Sequence, residues 1–513
     1  MAGEKTSWVD KFLNIIERGG NALPHPASLF GIFALLVLVF SALGAWLDWS
    51  VTHPATGETI RTVNLLSIEG LNRIIVEMVH NYTSFAPLGI VMVAMLGIGI
   101  AEQSGLISAL IRKLVLGSPR KILTFVVVLA GILSNIASDI GYVLLIPLAG
   151  VIFSTIGRHP FVGMAAAFAG VSGGFSANLL LGTIDPLLAG LTEESARILD
   201  PQAHVNPTAN YYFMVVSTLI IATLGTLITE KLIAPRFKHA ASRFADEAVE
   251  PLSALERKGL RWTGISMLAW LGLILWGILP AEGFLRGPDG GFLSSPLIEG
   301  VIAFLFVIAG TAGIVYGAVT GKYKNDADVI AGMTTSLKTI ANYMVLVFFA
   351  AQFVAYFKWS HLGLVFSVSG AELLLALELG VIPLMILFIL LAAVINLFMG
   401  SASAKWAILA PIFVPMFMLM GFSPELSQVV YRIGDSVTNV ISPMMSFFAL
   451  IIAYFQKYDR EAGIGTIIAT MLPYSIAFFI GWSLLLSGWI LLELPLGPGA
   501  TLYYDLPPGV SLP

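Results

Sequence analysis

Lys405, Arg432 and Asp435 put charge inside a very apolar stretch, from NLFMGSASAKWAILAP at 396–411 to RIGDSVTNVISP at 432–443. Each costs about 2.5–3.5 kcal/mol at the centre of a membrane helix, so a chain that keeps them must use or neutralise them. The chemistry open to them is recognition of charge. A guanidinium is a planar fork that fits a carboxylate, whereas an ammonium is a point cation. A buried carboxylate is neutral unless a cation or base sits nearby. Arg432 and Asp435 are three residues apart and can face one another on a helix, so a static ion pair competes with a guanidinium shared with a substrate carboxylate. Lys405 is either a second contact to an anion or a snorkelling side chain. Trp406 follows Ser403 by one turn and can stack on an aromatic ring, although an indole at a membrane interface needs no ligand to explain it.

The stretch has an echo. Residues 134–186 contain SNIASDIGYVLLIP and FSANLLLGTIDP, the same order of a Ser/Asn/Gly-rich break, an apolar run to a Pro and a second Asn-containing break. Asn135 and Asn178 are 43 residues apart, as are Asn396 and Asn439; the prolines match less well, with 39 residues from Pro147 to Pro186 and 32 from Pro411 to Pro443. Paired interruptions in two halves of a hydrophobic chain point to a transporter with inverted repeats and broken helices. At a break the freed backbone groups must find partners where there is no water. Asn135, Asn178, Asn396 and Asn439 bring a donor and an acceptor each, and Ser134, Ser138, Ser176, Ser401, Ser403 and Ser436 bring hydroxyls. These groups either satisfy broken backbone or coordinate a small hard cation such as Na⁺, and the matched spacing of the four asparagines favours a site. Asp139 lies four residues after Asn135, and Asp185 precedes a proline. Either carboxylate suits a proton- or Na⁺-coupled carrier; for Asp185 a helix cap is the alternative.

The elements that position these groups follow from composition and charge. With 513 residues, 57% apolar, 11% charged and a mean hydropathy of +0.88, the chain lies outside the range of soluble domains, which carry about 25% charged residues. It reads as an all-α polytopic membrane protein whose solvent is the lipid bilayer. A net charge of −4 with no basic face argues against nucleic acid as a partner. The absence of cysteine removes disulfides, Fe–S clusters and thiolate zinc sites. No removable signal peptide is expected, and residues 6–18 read as an amphipathic surface helix.

Nine runs are long enough to cross: 28–47, 85–104, 160–190, 211–233, 263–280, 297–319, 340–357, 425–455 and 464–492. Two more, 122–153 and 380–422, fold around a break and read as re-entrant hairpins. Basic residues cluster in the loops with Arg112 to Lys121, Lys231 to Arg261, Lys322 to Lys338 and Lys457 to Arg460. If those loops are cytoplasmic, the N-terminus is inside, the C-terminus is outside, and the two hairpins enter from opposite sides. The expected organisation is a cytoplasmic segment at 1–27, a first span and outer loop at 28–84, and a first repeat at 85–233. A cytoplasmic loop with frame spans follows at 234–339, then a second repeat at 340–492 and an outer tail at 493–513.

SNIASDIGYVLLIPL, GGFSANLLLGTIDPLLAGLT, GSASAKWAILAPIFVPM and YRIGDSVTNVISPMM resemble the p-aminobenzoyl-glutamate (AbgT-type) transporters of the larger ion-transporter superfamily, and the likeness runs over essentially the whole chain. It implies a homodimer of nine-span subunits with opposed hairpins in a bacterial inner membrane. It implies that Asp185, Asn396, Ser403, Trp406, Pro424, Arg432, Asp435 and Pro443 line a substrate path. It implies cation-driven movement of p-aminobenzoyl-glutamate, either as uptake or as export of sulfonamide-type antimetabolites, with no cofactor beyond a coupling Na⁺ or H⁺. Coupling then falls to Ser134, Asn135, Asp139, Asn178 and Asn439, with Na⁺ sites at Asn135, Asn178, Asn396 and Asn439. A benzamide ring suits Trp406 and a glutamate carboxylate suits Arg432.

Other classes fit less well. GAVTGKY at 317–323 lacks the spacing and the Ser/Thr of a phosphate-binding loop, which argues against an ATP-driven pump. Gly434 and Asp435 echo an aspartyl intramembrane protease motif, but Arg432 stands where its first Gly belongs. All seven histidines lie in loops or near span ends, which disfavours a Ser/His nucleophile in the membrane core. A channel calls for repeated pore-lining rings.

Overall fold

A backbone in lipid has no water to bond, so it closes its own hydrogen bonds as helices. The computed structural model describes residues 24–52, 58–136, 140–237, 251–280, 282–288, 290–291, 295–339 and 341–504. The surface helix expected over 6–18 and the carboxylate of Asp139 lie outside the described residues. The chain opens with α1 (Pro26–Trp46), a two-stranded antiparallel hairpin of β1 (Ser50–Thr52) and β2 (Thr59–Arg61), α2 (Ile68–Thr83), α3 (Ala86–Gln103) and α4 (Leu106–Leu116). The first broken region is α5 (Leu123–Ser134), α6 (Gly141–Thr155), α7 (Pro160–Gly173) and α8 (Ile184–Ala196), followed by α9 (Tyr211–Phe237). Next come α10 (Ala254–Ile278), α11 (Val301–Thr320), α12 (Asp326–Thr339), α13 (Ala341–Trp359) and α14 (Leu362–Ala376). The second broken region is α15 (Val381–Phe398), α16 (Ala402–Leu419), α17 (Pro424–Asn439) and α18 (Phe448–Gln456), and α19 (Ile464–Leu491) closes the bundle.

Among the described residues nine helical runs are long and apolar enough to cross a membrane, but they are not the expected nine. Seven coincide. The expected spans at 160–190 and 425–455 are instead broken, into α7 and α8 and into α17 and α18. The other two runs are α15 and α16, each of 18 residues, or about 27 Å of helix. Local chemistry explains the breaks. Gly173 and Gly174 end α7 after a π-helical turn at Ala169–Gly173, and α17 gives way to a turn holding Pro443. The loop expected over 48–84 is also structured, holding the β-hairpin and an amphipathic α2 that leaves Ile68, Ile75, Val76 and Val79 exposed.

Exposure sorts the helices into two groups. Along α10 only Gly259, Leu260, Thr263 and Gly277 are buried, while Trp262, Ile265, Leu268, Leu271 and Trp276 face outward into an apolar medium. In α17 the whole run from Leu426 to Val437 is buried, polar residues included. It starts from Ser423, whose hydroxyl accepts the Leu426 amide at 3.1 Å, with Pro424 in the first turn. Gly434 lets α17 lie against α15, because a Cβ there would stand 2.5 Å from the Ile389 carbonyl oxygen. Gly170 does the same for α7 against α5, where a Cβ would meet Val128 O at 2.2 Å.

Between α8 and α9 the loop is pinned by Glu193, which takes Arg197 at 2.6 Å, His204 Nδ1 at 2.7 Å and the Val205 amide at 3.0 Å. The hydrogen bond to Glu193 raises the His204 pKa above its usual 6.5.

Two outcomes follow. Gly434→Val should destabilise the protein by at least about 1–3 kcal/mol through overpacking, seen as a lower Tm in detergent; an unchanged Tm would remove the close-contact role. For His204 the raised folded pKa means that its stabilisation is complete below the unfolded value and fades as pH rises through the folded one. The Tm gap between the wild type and His204→Gln should therefore be largest below about pH 6.5 and shrink as the pH is raised above it. A gap constant across that range would contradict the ion pair.

Candidate functional site

The buried face of α17 builds the site. Gln428, Arg432 and Asp435 succeed one another at four and three residues, so one helical face carries an amide, a cation and an anion. All three are buried, with Arg432 at 4% and Asp435 at 1% exposure. Arg432 and Asp435, which the spacing allows to pair, do not pair with each other. Arg432 Nη2 reaches Asp185 Oδ1 on α8 at 2.8 Å, and Asp435 Oδ1 takes Lys405 Nζ from α16 at 2.5 Å. Arg432 and Asp435 thus pair with different elements, and Asp185 and Arg432 join the two halves of the chain. Asp185 also accepts the Gly182 amide through Oδ2 at 2.7 Å, so the capping role and the ion pair coexist. Neither Asp185 Oδ1 nor Asp435 Oδ1 receives an aligned hydrogen bond among the described residues, so charge rather than a directed bond holds each ion pair. Arg432 Nε has no hydrogen-bond partner among them, which leaves one edge of the guanidinium uncommitted.

Lys405 does not snorkel. Its side chain is fully buried, and besides Asp435 it donates to Asn396 Oδ1. The other end of Asn396 is committed too: Nδ2 donates to Asp435 O at 2.7 Å, to Thr438 Oγ1 at 2.9 Å and to Asn439 Oδ1 at 2.9 Å. Asn439 Nδ2 points back at Asp435 Oδ2 at 3.4 Å, and Ser442 donates to the Asn396 carbonyl at 2.9 Å. These contacts lock the end of α15 to the end of α17.

Trp406 is buried at the start of α16, stacked on Tyr431 with ring centroids 4.5 Å apart and planes 22° apart. Its Nε1 donates to Thr192 Oγ1 at 2.9 Å. Thr192 in turn donates to Gln428 Oε1 at 2.6 Å, and Gln428 donates to Asn210 Oδ1 at 2.7 Å. Thr192, Asn210, Gln428 and Tyr431 were not anticipated, although Gln428, one turn before Arg432 in a buried helix, is the signal that could have found them. Ser403 is set apart from the ion pairs: with Ser401, Gly400 and Met399 it lines a cavity of about 500 Å³ that also touches His25, Tyr343 and Met444, within the usual range for a small-molecule site. Pro424 and Pro443 offer no polar side chain and shape the two ends of α17.

In the first half the polar groups close on backbone. Ser134 donates to Gly131 O at 2.6 Å, and Asn135 Nδ2 donates to Ile132 O at 3.2 Å and Val171 O at 3.0 Å. Asn178 Nδ2 donates to Ile132 O at 3.3 Å, and its Oδ1 accepts the Leu179 amide at 2.8 Å. Asn135 Oδ1 is buried without a hydrogen-bond partner among the described residues. The halves meet where the Ser176 amide donates to Ser436 Oγ at 3.1 Å. Among the described residues no cluster of three or more His, Cys, Asp or Glu is placed to hold a metal.

Known proteins share this fold. Residues 11–504 match the family model described as "AbgT putative transporter family". The chain is 37% identical over 490 residues to the p-aminobenzoyl-glutamate transport protein of Escherichia coli (strain K12), covering 95% of this chain and 96% of that one. Its structure is similar to the YdaH transporter of Alcanivorax borkumensis, with a TM-score of 0.89 and 49% identity over 93% of this chain and all of that one. It is equally similar to Neisseria gonorrhoeae MtrF, described with a class of antimetabolite efflux pumps, with a TM-score of 0.88 and 49% identity over 95% of this chain and all of that one. A family match across the broken helices and the buried charges they carry makes this chain a membrane transporter of the AbgT family, and not an enzyme.

Proposed function

We propose that the protein is a cation-coupled secondary transporter of p-aminobenzoyl-glutamate or related aromatic antimetabolites. The observation that carries this reading is the buried Arg432, held on one edge by Asp185 and open at Nε. A guanidinium with one free edge suits the carboxylate of an aromatic amide. Trp406 and Tyr431 supply a stacked aromatic wall one residue along the chain from Lys405 and Arg432, and Ser403, one turn before Trp406, lines a cavity of about 500 Å³. Asn396 and Asp435 keep the binding face of α17 in register, while Pro424 and Pro443 set its ends. The printed names of the relatives support the ligand class.

For coupling, Asn135 Oδ1 is the side-chain oxygen left over for a Na⁺ ion, with Ser134 and Asn178 holding the surrounding backbone. A bound cation there would add positive charge beside the anionic substrate path. If protons drive transport, Asp139, Asp185 or Asp435 takes the role. The reading includes re-entrant hairpins at 122–153 and 380–422, inverted repeats at 85–233 and 340–492, a homodimer, and a bacterial inner-membrane setting with the N-terminus cytoplasmic and the C-terminus outside.

Labelled p-aminobenzoyl-glutamate should move in proteoliposomes under an imposed Na⁺ or proton gradient. The gradient that works identifies the ion, and its orientation identifies uptake or export; no movement under either removes the substrate assignment. Arg432→Lys keeps a charge for Asp185 but loses the fork, and should lower kcat/KM about 10–100-fold, the worth of a charged hydrogen bond of roughly 1.5–3 kcal/mol. Unchanged transport by that variant would sink the role given to Arg432.

A further inference from the structure

We propose that Lys405 is a tethered cation: its ammonium fills, in the second half of the chain, the place a bound alkali ion would take, so that Asn396 and Asn439 hold no inorganic cation. The proposal rests on the cation-coupled reading above and narrows it to one half. It starts from a mismatch between spacing and contacts. Asn135 with Asn178, and Asn396 with Asn439, are equally spaced and read alike as oxygen donors for Na⁺. Their surroundings differ.

In the second half the oxygens are taken by donors of the chain itself. Lys405 donates to Asn396 Oδ1 and sits 2.5 Å from Asp435 Oδ1, Asn439 Oδ1 accepts Asn396 Nδ2 at 2.9 Å, and the Asn396 carbonyl accepts Ser442 at 2.9 Å. Hard cations bind through several convergent oxygens, and here those oxygens already face N–H and O–H groups. In the first half no Lys or Arg occurs from Ile122 to Gly157, and Asn135 Oδ1 is a buried oxygen without a hydrogen-bond partner among the described residues, whereas Asp185 Oδ1 and Asp435 Oδ1, which also lack an aligned hydrogen bond, face Arg432 and Lys405.

Electrostatics points the same way. A buried Asp435 requires a positive partner, since an unpaired carboxylate in a low-dielectric interior is strongly disfavoured. Lys405 lies in the first turns of α16, just after its Ser401 cap. A helix N-terminus favours anions and opposes a cation. An ammonium placed there, with its stem fully buried, is held by Asp435 and Asn396 and not by its own helix. Because it is covalently attached, this positive charge cannot be released to either side of the membrane. The second half then contributes a fixed charge, and any ion that exchanges during transport does so elsewhere.

The test is Na⁺-specific stabilisation of the purified full-length protein, measured as Tm in NaCl against choline chloride at equal ionic strength. Lys405→Ala empties the cradle and keeps Asp435, so it should gain a saturable Na⁺-specific rise in Tm beyond that of the wild type. Lys405→Ala combined with Asp435→Asn should lose that gain. A folded Lys405→Ala whose Na⁺ response equals that of the wild type overturns the proposal. Should Lys405→Ala fail to fold in both salts, Asn439→Ala decides. It should keep whatever Na⁺ response the wild type shows, including none, and loss of a wild-type response in Asn439→Ala overturns the proposal. The readout does not involve substrate, so a failed transport assignment and a failed tethered cation give different results.

Discussion

Four charges buried away from water cannot persist singly, and the structure is arranged so that none does. Asp185 with Arg432 and Lys405 with Asp435 neutralise one another across four helices, α8, α16 and α17 with the end of α15 as a brace. Breaking a buried pair by removing one member costs about 3–5 kcal/mol, because the other is left uncompensated. The two pairs are crossed, each using one residue of α17. Any displacement of that helix therefore strains both at once, and the polar links between Asn396 of α15 and Asp435, Thr438 and Ser442 hold it at its far end. Helix α10, by contrast, turns Leu and Trp outward into an apolar medium.

Much of this was legible in the amino-acid sequence. Charge placement and hydropathy identify a helical membrane protein, and the Asn spacing marks both broken regions correctly. The errors lie where hydropathy cannot see contacts. Residues 425–455 read as one span because Val, Ile, Phe and Met dominate the second part of the stretch, yet the Pro443 turn divides it and leaves α17 rich in buried polar groups. Arg432 and Asp435 read as neighbours because helical spacing is the only distance a sequence supplies. Their true partners lie at positions 185 and 405, and pairing over such separations is a property of packing. Lys405 illustrates the same limit. Its type and surroundings mark it as exceptional, but only the fold shows that its ammonium meets the oxygens of Asn396 and Asp435.

The two halves are alike in grammar and unlike in chemistry. In the first, side chains mainly cap interrupted backbone, as Asn135 does for the carbonyls of Ile132 and Val171. In the second, the equivalent amides are drawn into an ionic network and hold helix to helix. Trp406 ties them together, since its indole proton goes to Thr192 in the first half while its ring stacks on Tyr431 in the second.

The polar character of α17 also bears on how the chain is made. A segment carrying Glu425, Gln428, Arg432, Asp435 and Asn439 has no favourable partition into lipid by itself, because charged residues are penalised by the insertion machinery. It becomes acceptable only when Asp185, Lys405 and the surface of α15 around Ile389 and Ala392, on which Gly434 packs, are waiting for it. All of these precede it in the chain. Synthesis from the N-terminus therefore delivers the receiving pocket before the helix that fills it, and the last apolar helix, α19, then closes the bundle around a segment the bilayer would have refused.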